Sequence, residues 1–164
     1  MPCHTFCKVR KSCATAIPPL NSGVRRNAKP QALHTSGEPV REAMTHAGRC
    51  SCGAVRYEAR GEPITVSACH CKQCQHRTGS AFGIGFYFPN DKVELLSGSM
   101  STFERSSDSS RKIRFRFCSQ CGTTVLWNAE VLPNATGIAG GTFSDTDWII
   151  PDRHVWTSSC QKWV

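Results

Sequence analysis

Seven cysteines in three short clusters govern what this 164-residue chain can fold into. The densest cluster is Cys69-His70-Cys71-Lys72-Gln73-Cys74, a C-x-C-x-x-C loop. Upstream stands Cys50-Ser51-Cys52, followed by Gly53; downstream stands Cys118-Ser119-Gln120-Cys121, followed by Gly122. Thiols packed this tightly cannot all pair as strain-free disulfides, because a bridge needs well-separated, correctly aimed Cα atoms. They can converge on a metal ion, since thiolates bind zinc at about 2.3 Å in a tetrahedral arrangement. The glycine after each flanking pair suits a knuckle, where the backbone turns sharply and directs amides at sulfur. The two flanking pairs supply four ligands and close one tetrahedron. The C-x-C-x-x-C loop supplies three and leaves the fourth corner open. Closed zinc sites are structural, whereas sites with an open corner are catalytic. Two zinc ions per chain are expected. A redox role for Cys118 and Cys121 is disfavoured, because Cys50 and Cys52 compete to lock those sulfurs onto metal.

Composition matters where it excludes alternatives. Eleven cysteines in a small secreted protein would signal a disulfide framework. No hydrophobic signal segment opens the chain, so a reducing cytoplasm with zinc thiolates is the expected setting. No run approaches the roughly 18 apolar residues of a membrane span, and no membrane partner is expected. The formal charge is +8, but it is uneven. Residues 1–43 hold seven Lys and Arg against Glu38 and Glu42, while the remainder is nearly balanced and falls further once thiolates bind zinc. The high pI is therefore no argument for nucleic-acid binding.

Residues 1–43 lack apolar periodicity and are broken by Pro18, Pro19, Pro30 and Pro39. They are read as a disordered extension that buries too little to offset its ordering entropy. Three roles stay open for it: none, since Met44 resembles a natural start; targeting; or a basic binding tail. From Gly48 onward the pattern is that of short strands. Ala54–Ala59 alternates apolar and polar. Ile64-Thr65-Val66 leads into the cysteine loop, Gln75–Thr78 completes one helical turn stopped by Gly79, and Ala81–Phe88 is an aromatic-rich strand. Val93–Leu96, Ser101–Arg105, Ile113–Phe117, Thr123–Trp127 and Ile138–Phe143 follow, with Trp148-Ile149-Ile150 closing the pattern. Within Ile113–Phe117, the alternation assigns Ile113, Phe115 and Phe117 to the core and turns Arg114 and Arg116 toward solvent or ligand. No stretch reads as a long helix, so the expected class is all-β.

Together, Gly48-x-Cys50-x-Cys52-Gly53-Ala54-Val55, Cys69-x-Cys71-x-x-Cys74 with Thr78-Gly79-Ser80, Phe117-Cys118-x-x-Cys121-Gly122 and Gly140-Gly141-Thr142 resemble the glutathione-dependent formaldehyde-activating enzyme family, which includes the centromere protein V-like domains. The resemblance covers residues 46–164. It implies a β-tent of small antiparallel sheets held by zinc, with Cys50, Cys52, Cys118 and Cys121 on the structural ion and Cys69, Cys71 and Cys74 on the catalytic one. It also implies a carbon–sulfur lyase of the S-(hydroxymethyl)glutathione synthase type, joining glutathione to a small aldehyde or cleaving the adduct. The other reading is a non-catalytic module in which both zinc ions only brace the fold. Gln75 departs from the resemblance, because that position often holds arginine.

Three thiolates would leave the second zinc site with a charge of −1, which suits thiol exchange better than water activation. Lys72, His76, Arg77, Arg114 and Arg116 are candidates to meet glutathione carboxylates, against the simpler reading of a solvated surface. His70 is either a proton relay or a hydrogen-bonded structural histidine. Phe82 and Phe86 either line a pocket or pack the core.

Overall fold

The computed structural model describes residues 44–107 and 110–164, and the extension expected at 1–43 lies outside the described residues. The described chain is all-β with one short helix, as the strand patterning predicts. In chain order the elements are β1 (Thr45–Arg49), β2 (Arg56–Arg60), β3 (Thr65–Cys69), α1 (Lys72–Thr78), β4 (Gly83–Pro89), β5 (Val93–Ser97), β6 (Met100–Ser106), β7 (Lys112–Cys118), β8 (Thr124–Ala129), β9 (Leu132–Ala139) and β10 (Arg153–Val155). A three-stranded antiparallel sheet runs β1-β2-β5, and a seven-stranded sheet runs β10-β3-β4-β9-β8-β7-β6. Within the larger sheet, β10 joins β3 in parallel, and the other pairings are antiparallel.

The strand register explains how the larger sheet works. Side chains directly opposite on paired strands share a face. Val66, Phe86, Ile138 and Leu126 form one cross-strand row. All four are buried, and they pack with Val55, Tyr57 and Ala59 of the β2 region in the core. The neighbouring row of Tyr87, Gly137, Trp127 and Phe115 lies on the opposite face. Thus one face of the sheet builds the core, and the other is free to build a site.

Two glycines shape that second face. A Cβ on Gly137 would lie 2.2 Å from the Trp127 ring, and one on Gly85 would lie 2.8 Å from it. The indole therefore lies flat across β9 and β4. No other residue leaves that room.

Several local expectations are refined. The alternation at Ala54–Ala59 holds, with Val55, Tyr57 and Ala59 fully buried. The helical turn is longer than expected, beginning at Lys72 and ending at Gly79, whose φ of 61° is left-handed. Trp148-Ile149-Ile150 forms no strand. The Trp148 N–H donates to the Asp145 carbonyl at 3.0 Å, and its ring stacks on His46 with centroids 4.1 Å apart. Trp148 and Ile149 pack against the core, Trp148 beside Phe86 and Phe143, while Ile150 is exposed.

The Ile113–Phe117 strand also differs in what its faces meet. Its apolar side joins Trp127 on the second face of the sheet, with Phe115 buried and Ile113 and Phe117 half-buried. Arg114 turns away to pair with Glu104 at 3.0 Å, and Arg116 donates to Asn128 Oδ1 at 3.2 Å. A two-residue period assigns side chains to faces. It does not say which face is core.

Candidate metal centres

The first centre is built from two matching knuckles. Cys50 N–H donates to Val55 O and Cys118 N–H to Thr123 O, each at 3.0 Å. Each turn then closes on its glycine, Gly53 with φ 78° and Gly122 with φ 71°. The amide of Val55 points at Cys50 Sγ at 3.3 Å, and that of Gln120 at Cys118 Sγ at 3.4 Å. Thr123 joins the knuckles through its hydroxyl, donating to Ser51 Oγ at 2.9 Å.

The four sulfurs of Cys50, Cys52, Cys118 and Cys121 all lie within 4.8 Å of one another. Cys50–Cys52 is 3.5 Å and Cys52–Cys118 is 3.8 Å. A tetrahedron with metal–sulfur bonds of about 2.3 Å has edges of about 3.8 Å, so the donor set fits zinc. Cys50 follows β1 in the small sheet and Cys118 ends β7 in the large one, which makes this centre a tie between the sheets.

The electrostatics of these bare thiols reflect their crowding. Burial opposes ionisation of Cys50, yet the Val55 amide and neighbouring thiols outweigh it and lower its pKa. Hydrogen bonds from Thr123 lower Cys121 to about 5. The Ala54 amide favours a thiolate at Cys52, but the sulfurs of Cys50 and Cys121 push it up to about 12. Adjacent thiolates resist accumulating charge, which a divalent cation relieves.

The second centre sits where a strand turns into a helix. Cys69 ends β3, Cys71 caps α1 by accepting the Cys74 N–H at 3.3 Å, and Cys74 lies in the first turn. Their sulfurs also lie within 4.8 Å of one another. Hydrogen bonding to Cys69 lowers Cys74 to about 6, with Arg77 contributing, while the same contact and burial raise Cys69.

The C-terminal segment holds this loop in place. His70 N–H donates to Val155 O at 3.0 Å, and the Gln75 amide donates to His70 O at 2.7 Å and Ser159 O at 2.9 Å. Gln75 Oε1 accepts from Lys72 Nζ and Gln161 Nε2, each at 3.2 Å. Gln75 is thus a buried clamp, a role that sequence patterning did not single out. His70 is fully buried with Nε2 2.9 Å from His154 Nδ1. Burial, then the neighbouring His154, lowers its pKa and keeps it neutral.

The space beside the first centre, about 280 Å³ and lined by Cys50, Ser51 and Thr123, is mainly polar, whereas the second centre opens onto an apolar cavity. A space of about 260 Å³ is bounded by Cys69, Cys71 and Cys74 on one side and by Tyr87, Phe115 and Trp127 on the other. Gly83 and Gly85 line the same space, and their missing side chains make room for Arg77 and the Trp127 ring, each 2.8 Å from where a Cβ would lie. Arg77 crosses the aromatic floor, its guanidinium 5.0 Å from the Trp127 ring centre and 5.6 Å from that of Phe115. Arg105 approaches Phe115 at 5.6 Å. Neither arginine is in a salt bridge with a carboxylate among the described residues.

Of the five cationic candidates, only Arg77 lines this cavity. His76 lines the adjoining hollow, Lys72 is spent on Gln75, and Arg114 and Arg116 lie across the sheet. Phe86 is core, and Phe82 packs beside His70 with ring centres 5.5 Å apart. Arg105, Arg111 and Lys112 line the cavity without having been legible as site residues. They enter through strand pairing, which brings the β6–β7 hairpin over the thiol loop.

An all-β chain with one closed set of four thiols and one set of three facing a cavity defines a class of small domain whose cysteines could hold metal. The chain belongs to the glutathione-dependent formaldehyde-activating enzyme family, whose profile matches residues 45–159. A crystal structure of a Rhodobacter sphaeroides protein is similar at 19% identity over 60% of this chain and 87% of that one, with a TM-score of 0.49. Among the described residues, no helix is long and apolar enough to cross a membrane.

Proposed function

We propose that residues 46–164 form a two-zinc domain that joins a thiol such as glutathione to a small aldehyde, or cleaves the resulting adduct. The observation that carries this reading is the contrast between the centres. Four thiols saturate the first, whereas the second presents three thiols to an open cavity. A zinc ion held by Cys69, Cys71 and Cys74 supplies a position at which an incoming thiol is favoured as thiolate. Cys50, Cys52, Cys118 and Cys121 hold the structural ion.

The chain's own groups supply binding and orientation. Arg77 and Arg105, without carboxylate partners, stand at the cavity to receive the carboxylates of a peptide thiol. Burial holds the Tyr87 phenol above its ordinary pKa, so it stays a neutral hydrogen-bond donor at the wall. Phe115 and Trp127 exclude water from the floor. In the reaction, the thiol sulfur bonds to the carbonyl carbon, the C=O π bond opens, and the thiol proton ends on oxygen. Reversal cleaves the carbon–sulfur bond, and no oxidant is required. Bringing thiol and aldehyde together in one site is the main source of acceleration such a cavity can provide.

The test is exchange spectroscopy by NMR on the full, zinc-loaded chain with glutathione and formaldehyde. Interconversion of free and hydroxymethylated thiol should accelerate, and Cys71→Ser should abolish the acceleration. A wild-type chain with two zinc ions and no acceleration would favour the non-catalytic binding module.

A further inference from the structure

The thiol cavity is much larger and more apolar than formaldehyde requires. Formaldehyde adds only one carbon and one hydroxyl to the thiol, far less than a space of about 260 Å³ holds. The same cavity is lined by Ile113, Val131, Val155 and Trp156, together with Phe115 and Trp127; Val131 and Trp156 are about half exposed. These residues bring carbon surface to the space, whereas Arg105, Arg111 and Lys112 bring charge. A peptide thiol is polar and matches those charges, so it does not match the carbon-lined part. Apolar surface left against water is unfavourable, and ligand pockets match apolar walls with apolar ligand. Trp156 lines the cavity edge with a left-handed backbone, φ 58°, which is rare for a bulky side chain.

We infer that the carbonyl partner carries a bulky apolar substituent, aryl or branched alkyl, seated against Ile113, Val155 and Trp156. This rests on the thiol–aldehyde reading and narrows its substrate class. The reaction is RSH plus R′CHO giving RS–CH(OH)R′. The carbon–sulfur bond forms, the C=O π bond breaks, and the thiol proton passes to the carbonyl oxygen.

The test is calorimetric binding of two stable thioethers, S-benzylglutathione and S-methylglutathione, to the full, zinc-loaded chain. They share the peptide and differ only in the apolar group. The benzyl conjugate should bind about tenfold tighter or more. Ile113→Trp, which fills the cavity, should narrow the difference to about threefold or less. Val131→Trp, at an exposed position of the same wall, should narrow it too and serves if the first variant does not fold. Equal affinities, no binding by either conjugate, or a benzyl advantage untouched by both substitutions would overturn the inference. The thiol-exchange assay fails separately. Absence of exchange with every aldehyde, with the benzyl advantage intact, would refute the reaction and leave the apolar occupant standing.

Discussion

Removing the Gln75 clamp should destabilise the domain in a way that its volume alone does not explain. Gln75 is buried, and its Nε2 donates to His70 O at 2.7 Å and to Ser159 O at 2.9 Å. Gln75→Leu keeps a similar bulk and leaves both carbonyls without that donor. A buried group left unsatisfied costs about 1–3 kcal/mol. The His70 contact is buried but each carbonyl keeps a second lone pair free of this donor, so it takes the lower half of that range, about 1.5 kcal/mol. The Ser159 contact is part-buried, so water recovers some of the loss and leaves about 0.5 kcal/mol. The sum is about 2 kcal/mol, a fall in Tm of about 8 °C for a domain of this size. Gln75→Glu should be worse at neutral pH, because a carboxylate would face two carbonyl oxygens. The assay is thermal and urea unfolding at fixed free zinc, with Trp156 and Trp163 of the tail contributing to the fluorescence. A Gln75→Leu loss below about 0.5 kcal/mol, within the range of ordinary surface changes, would refute the assignment of Gln75 as the clamp between loop and tail.

The two centres should fail differently. Cys118→Ser removes a buried ligand that ties the sheets together and should abolish cooperative unfolding, whereas Cys71→Ser should lower zinc from two to one per chain and keep a cooperative melt; equal damage in both would make the second centre structural. Gly137→Ala places a methyl 2.2 Å from the Trp127 ring, and overpacking of this kind costs about 1–3 kcal/mol; urea unfolding and a shifted tryptophan emission should report it, and an unchanged spectrum would show that the ring does not lie where described. Asp152 gives a pH test. Desolvation pushes its carboxyl up, but the Val66 amide, Thr65 hydroxyl and Arg153 outweigh it and hold the pKa below the ordinary value. A depressed carboxyl stabilises the fold above its unfolded pKa and loses that contribution as pH falls through the folded value. Acid should therefore loosen the β10 docking below about pH 4, and Asp152→Asn should flatten that part of the stability profile measured by tail proteolysis.

How much was legible in the sequence depended on the range of the interaction. Ligand spacing within a cluster is local, so the division of Cys50, Cys52, Cys118 and Cys121 from Cys69, Cys71 and Cys74 could be read from the chain, and the structure brings together both sets. The strands at Ala54–Ala59, Ala81–Phe88 and Ile113–Phe117 announced themselves by alternation and aromatic content. What alternation lacks is the identity of the face. The apolar residues of β7 looked like core because nothing local distinguishes a core from the wall of a cavity. That distinction arises only when β7 pairs with β8 and α1 folds Arg77 over the same rings. Arg105 and Trp156 were likewise invisible as site residues, since each comes to line the thiol cavity only once strands pair, Arg105 on β6 beside β7 and Trp156 just after β10 beside β3. Gln75 registered only as a departure at one position. Its meaning is in Ser159 and Gln161, more than eighty residues away.

The central claim is that Cys69, Cys71 and Cys74 hold a zinc ion whose fourth position accepts an external thiol. Zinc-edge X-ray absorption on the zinc-loaded chain with the selenol analogue of glutathione tests it directly, because selenium scatters unlike any ligand the protein supplies. The account predicts two zinc ions per chain, with selenium entering the shell of one and not in Cys71→Ser. Two zinc ions with no selenium in either shell would contradict it.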